Sequence, residues 1–104
     1  MNPLDIVLKI LGDADQFRSK VNQACIVKGL PPAFDGLKGN TDYRFEGFGV
    51  AFINFQPNLT FWVHYKPDSP QHISLGRFEI PISYAQSLSL VANLGHPSNT
   101  AVTA

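Results

Sequence analysis

Charge is scarce in this chain: charged residues make up 15% of it, against about 25% in typical soluble domains. Eight basic and eight acidic residues cancel to a net charge of zero. A surface that tracks phosphates needs a basic stripe, and Lys9, Arg18, Lys20, Lys28 and Lys38 are scattered along the sequence instead. Nucleic-acid binding is therefore not expected. Cys25 is the single cysteine, so no intrachain disulfide can form, which fits a reducing compartment. Long apolar runs are missing too, and with them any membrane span. The opening MNPLDIVLKILGDAD has no charged leader, full apolar stretch or small-residue cleavage site. The expected location is the cytoplasm.

With so little charge, the surface must be built from Ser, Asn, Gln, Thr and exposed apolar groups, a composition that favours association. The length fits one domain, expected over residues 1–97 with a flexible tail at 98–104.

Asn2-Pro3 reads as a helix start, since Asn can cap and Pro suits the first helical position. Leu4, Val7, Leu8 and Leu11 follow at helical spacing. Gly12-Asp13 either ends this helix, with Asp13 capping the next, or is passed through at about 1 kcal/mol for the glycine. A second helix is expected over residues 14–28, with Phe17, Val21, Ala24 and Cys25 on one face and Gly29 as its stop. Without a basic recognition helix, the pair does not make a DNA-binding helix-turn-helix. Residues 29–42 read as a loop, pinned to the core by Leu30, Phe34 and Leu37.

Strands come next: a short one over 43–46, then two apolar, aromatic and β-branched runs over 48–55 and 59–66, written FGVAFINF-QPN-LTFWVHYK. A turn at Pro57-Asn58 is expected between the runs. A two-residue turn there pairs Phe52 with Val63 and Val50 with Tyr65, and shows Ile53, Ala51, Trp62, His64 and Lys66 on the second face. A three-residue loop pairs Ile53 with Phe61 and Ala51 with Val63, and puts Val50, Phe52, Trp62 and His64 there. In both registers Trp62 and His64 lie opposite the Phe61, Val63, Tyr65 row. A further strand over 73–82 carries a bulge at Gly76. Ser83-Tyr84-Ala85-Gln86 has the form of a capping box. It opens a helix with Tyr84, Leu88, Val91 and Leu94 on one face, stopped by Gly95 and Pro97.

The fold class expected is α+β: an antiparallel sheet of three to four strands, two N-terminal helices and one short C-terminal helix. No helix-length segment separates the strands, which disfavours a parallel βαβ fold.

Catalytic signatures are missing. His64, His72 and His96 show no metal-pair spacing, and Cys25 has no CxxC companion. Neither metal nor cofactor is expected. Cys25 as nucleophile with His64 as base is outweighed by the packing role of a cysteine on an apolar helix face. Glu46 and Glu79 are expected to pair with Arg44 or Arg77. The GLKG of residues 36–39 lacks the ending of a phosphate loop, and Asn58-Leu59-Thr60 matches a glycosylation sequon in a chain with no secretory pattern.

The segment SLSLVANLGHP at residues 87–97 reads as a short helix stopped by Leu-Gly-x-Pro. It resembles the ending of small bacterial α+β domains, BamE/SmpA-like domains and toxin-immunity-type proteins. In the latter, segments like Gly49-Val50-Ala51-Phe52 and like residues 59–64 precede it. The resemblance covers the last half of the chain and implies a non-enzymatic, protein-binding role, in its most concrete form the blocking of a toxin.

The anchors expected for a partner are Trp62 and His64, with Phe52 or Ile53 beside them and Lys66 at the edge. The alternatives are a homodimer through the same face, or a ligand or enzyme pocket between helix and sheet using His64, Tyr65 or Cys25.

Overall fold

The computed structural model describes residues 2–94 and 100–101. The first helix, α1 (Pro3–Leu11), starts where Asn2 Oδ1 accepts the Asp5 backbone N–H at 2.9 Å, and stops at Gly12, whose φ of 69° few other residues adopt readily. The chain breaks there and resumes as α2 (Asp15–Val27). Asp13 contributes a turn rather than the cap: its Oδ1 accepts the Asp15 N–H at 3.1 Å, and Ala14 holds the cap position. Phe17, Val21 and Cys25 of α2 are fully buried, as their spacing implies.

The segment read as a loop contains a small hairpin, β1 (Phe34–Asp35) and β2 (Lys38–Gly39). Asn22 on α2 holds it: its Nδ2 donates to the Phe34 carbonyl and its Oδ1 accepts the Phe34 N–H, both at 2.9 Å. Phe34 is buried and Leu30 packs against the core. Leu37 does not pin the segment. It sits at the turn of this hairpin, 82% exposed, because a two-residue turn puts its central side chains at the tip.

The main sheet runs in the order β5-β4-β3-β6 among the described residues. Three of its strands, β3 (Tyr43–Ile53), β4 (Gln56–Tyr65) and β5 (Ile73–Pro81), form antiparallel pairs. Within the tail expected to be flexible, Thr100–Ala101 form β6, parallel to β3 at Val50 and Ala51. The Gly95 and Pro97 helix stop and the rest of that tail lie outside the described residues. No helix among the described residues is long and apolar enough to cross a membrane.

The hairpin turns at Asn54-Phe55, not at Pro57-Asn58, and neither expected register forms. Ile53 pairs with Gln56, Phe52 with Pro57 and Val50 with Leu59. Both turn residues have positive φ, 51° and 65°, as the tight primed turns of hairpins require. Asn54 tolerates this conformation readily. Pro57 fits inside β4 because the pair next but one to the turn exchanges no ladder bonds, so β3 asks no N–H of it.

Strand β3 contains a bulge. Glu46 pairs with Trp62 and Gly49 with Thr60, so Gly47 and Phe48 together oppose Phe61. Gly47 has φ 67°. The extra residue puts Tyr43 and Phe45 on the same face as Phe48, Val50 and Phe52. It also joins the short strand and the first hairpin run into one. A second irregularity in the β4–β5 pairing falls at the expected Gly76, φ 88°.

The helices cover that face. Phe61 is the hub, with ring centroids 4.8 Å from Phe17, 5.5 Å from Phe48 and 5.3 Å from Phe78. Lys20 Nζ of α2 donates to the Glu79 carbonyl of β5 at 2.6 Å. The last helix, α3 (Tyr84–Leu94), opens on the expected capping box: Ser83 Oγ accepts the Gln86 N–H at 3.0 Å and Gln86 Oε1 accepts the Ser83 N–H at 2.8 Å. Its buried face differs from the expected stripe. Ser87 and Leu90 are buried, Val91 and Leu94 pack beside them, and Tyr84 and Leu88 are exposed. Ser87 satisfies its hydroxyl within the helix, on the Tyr84 carbonyl at 2.6 Å, and Gln86 Nε2 reaches the Leu11 carbonyl at 3.3 Å, which ties the start of α3 to the end of α1.

Phe55 is 99% exposed and holds a left-handed backbone that disfavours a side chain by about 1–2 kcal/mol. Phe55→Gly creates an Asn-Gly turn and should raise unfolding stability by about 0.5–1 kcal/mol. Urea denaturation measures it, and a loss of stability would show that the ring contributes contacts of its own.

Candidate functional site

The face of the main sheet opposite the helices carries the candidate site. On β4 its side chains are Asn58, Thr60, Trp62 and His64, since alternate residues share a face. Register places Glu46 and Arg77 on either side of Trp62, Gly49 and Glu79 beside Thr60, and Arg44 and Ser74 beside His64. Ala51, Asn58 and Thr60 are buried, so the open part is the Trp62–His64 half.

Trp62 is 45% exposed and its indole lies against the β3 bulge. A Cβ on Gly47 would sit 3.1 Å from Trp62 Cδ1, tighter than ordinary contact. The bare glycine thus supplies both the backbone turn and the seat for the ring. Charges surround it. Arg77 Nη1 lies 2.9 Å from Glu79 Oε2, and Arg44 Nη2 lies 2.6 Å from Asp68 Oδ2, both pairs in solvent. The expected Arg77–Glu79 pairing forms; Arg44 goes to Asp68 instead, and Glu46 goes to His64. These exposed pairs contribute up to about 1 kcal/mol each.

His64 joins two neighbours. Its Nε2 lies 3.5 Å from Glu46 Oε1, and its Nδ1 lies 3.2 Å from His72 Nε2. The sequence separates these residues; the fold of residues 66–72 returns His72 to the end of β4.

Of the expected anchors, Trp62 and His64 come together. Ile53 shares their face but lies next to the turn, about 20 Å from Trp62 along the strand. Phe52 lies on the helix-covered face, its ring 6.3 Å from Tyr84. Lys66 lies past the end of β4, with Nζ 3.3 Å from Gln71 Oε1 and 5.4 Å from the Tyr65 ring centre. Not anticipated were Arg77, Glu79 and His72. A signal existed in the sequence: Arg-Phe-Glu occurs at residues 44–46 and again at 77–79. Each copy turns its Phe inward and its charges outward, on either side of β4.

Cys25 and His64 do not meet. Cys25 is fully buried on the helix side of the sheet, and His64 projects from the other side. Cys25 instead neighbours the hydroxyl of Tyr43, which donates to the Pro31 carbonyl. Burial pushes this phenol well above its usual range, and the hydrogen bond with Cys25 adds to the rise.

No protein-family model, curated protein or solved structure matches the chain.

Two outcomes follow from the buried pair. Unfolded tyrosine loses its proton near pH 10, and Tyr43 in the folded protein keeps it. Its contribution to stability is therefore intact below pH 10 and is lost as pH rises through the folded value. Tyr43→Phe should cost about 1 kcal/mol at neutral pH for the lost hydrogen bond and flatten the alkaline decline, read by denaturation from pH 8 to 11. Cys25 should ignore a thiol reagent until the protein unfolds; fast labelling of the native state would contradict its burial.

Proposed function

We propose that this chain is a non-enzymatic protein-binding domain that presents the Trp62 face of its sheet to a protein partner. The carrying observation is the half-exposed indole of Trp62, seated on Gly47 within a rim of Arg77, Glu79, Glu46 and His64. Tryptophan and arginine are the residues most enriched where binding energy concentrates, and a polar rim that excludes water around them is the usual surround. The rim mixes both signs. It suits a partner of mixed charge and gives no basic track for nucleic acid.

The particular form of this reading is an immunity-type protein that occludes a toxin in the cytoplasm. It is supported by the resemblance of the C-terminal half, and a lone buried cysteine fits that compartment. Occlusion needs only that the bound face cover the toxin's working surface; no group on this chain has to react.

Trp62→Ala removes the anchor with little demand on the core. Tagged wild-type protein should retain a partner from native lysate of its source cells. The variant, its circular dichroism and unfolding midpoint near wild type, should bind about 30-fold more weakly, the roughly 2 kcal/mol of a hot-spot truncation. Equal retention by both proteins would remove the face from the mechanism. A dimer in light scattering that the same substitution dissolves would assign the face to self-association.

A further inference from the structure

We infer that His64 and His72 form a binding site for a late transition-metal dication of the Zn²⁺ and Cu²⁺ class, with water in the remaining positions. His64 Nδ1 and His72 Nε2 are 3.2 Å apart. Two nitrogens bound at 2.0–2.1 Å to a tetrahedral metal are about 3.3–3.4 Å apart, so the spacing is already close to that of a shared metal. Among the described residues no group of three or more His, Cys, Asp or Glu is placed to hold a metal ion. The site therefore offers two protein ligands, and is weaker and more open than a structural zinc centre.

The third partner decides the chemistry. Glu46 lies against the other nitrogen of His64, Nε2, at 3.5 Å. A carboxylate there draws the ring proton to Nε2, which leaves the Nδ1 lone pair facing His72. This carboxylate–imidazole arrangement is the one that orients metal-binding histidines and raises their basicity. With the proton on His64 Nε2, His64 Nδ1 accepts the His72 Nε2–H in the metal-free protein. Metal takes the place of that proton, which moves to Nδ1 of the His72 ring, so both rings stay neutral and donate lone pairs. His72 is exposed, so its ring can reorient toward a shared metal. The nearest cation on the facing strand, Arg44, is paired with Asp68, which limits its repulsion of a metal ion.

The chain's single tryptophan makes the test specific. Trp62 stands two residues from His64 on the same strand face, about 7 Å away along the backbone. Cu²⁺, the tightest binder of the divalent series, should quench Trp62 emission in a saturable titration near one equivalent, and a large excess of Zn²⁺ should restore it by displacement. His72→Ala, shown folded by circular dichroism, should shift the Cu²⁺ midpoint by more than about tenfold, and Glu46→Gln should shift it in the same direction by about tenfold. His96→Ala should leave it unchanged. A midpoint indifferent to His72→Ala, or one moved by His96→Ala instead, would overturn the assignment.

Discussion

One inserted glycine decides which side chains the sheet buries. In a regular strand, alternate residues share a face, and Phe45 and Phe48 would then point to opposite sides. The bulge at Gly47 removes that conflict by placing two residues opposite Phe61. Tyr43, Phe45, Phe48, Val50 and Phe52 all reach the helix side as a result. Phe61, Phe17 and Phe78 pack among them, and α1, α2 and α3 close over the cluster. The contacts of Phe45 with Phe17 and Phe34 and that of Phe48 with Phe61 can form together only because of the bulge.

The same glycine shapes the opposite face. With no Cβ at Gly47, the Trp62 indole settles onto the strand instead of standing clear of it. An aromatic ring over a strand glycine shields backbone that would otherwise be open to water. Core formation and display of the candidate site are thus one geometric event. A side chain at this position would disturb both: its φ of 67° disfavours any Cβ, and the Cβ would crowd the indole.

Much of the fold was legible where a local device and its partners lie close in sequence. The Asn2-Pro3 start, the Gly12 stop, the Ser83–Gln86 capping box and the Gly76 irregularity all depend on residues a few positions apart. The α+β class followed from strands clustered between helices. The hairpin turn did not, because Pro57-Asn58 has the turn composition while the strands turn at Asn54-Phe55, where a phenylalanine holds a glycine-like conformation. The small hairpin at residues 34–39 was invisible since it depends on Asn22, twelve residues before Phe34. The α3 stripe was misread since a buried serine breaks the apolar pattern and a long-range bond from Gln86 to Leu11 ties the start of the helix to the end of α1. At the site, Trp62 and His64 share a face in any register; their neighbours depend on register, so Phe52 was put on the wrong face, Ile53 was put too near Trp62, and Arg77, Glu79 and His72 were not read as part of the site.

The distribution of charge gives the site its place in the molecule. Residues 47–65 and 80–104 contain no Asp, Glu, Lys or Arg. The charges of β3 stop at Glu46, one residue before the bulge, and those of β5 begin and end at Arg77 and Glu79. Trp62 lies on the line between them, with Glu46 on one side and Arg77 on the other. On one side of that line the face is charged and solvated; on the other, past Thr60 and its neighbour Glu79, it is uncharged and buried at Ala51 and Asn58. An aromatic ring at such a boundary can lose water on its apolar side without stranding an ion, while the neighbouring charges limit wrong associations. That combination explains how a chain so poor in charge can expose a tryptophan on a defined patch.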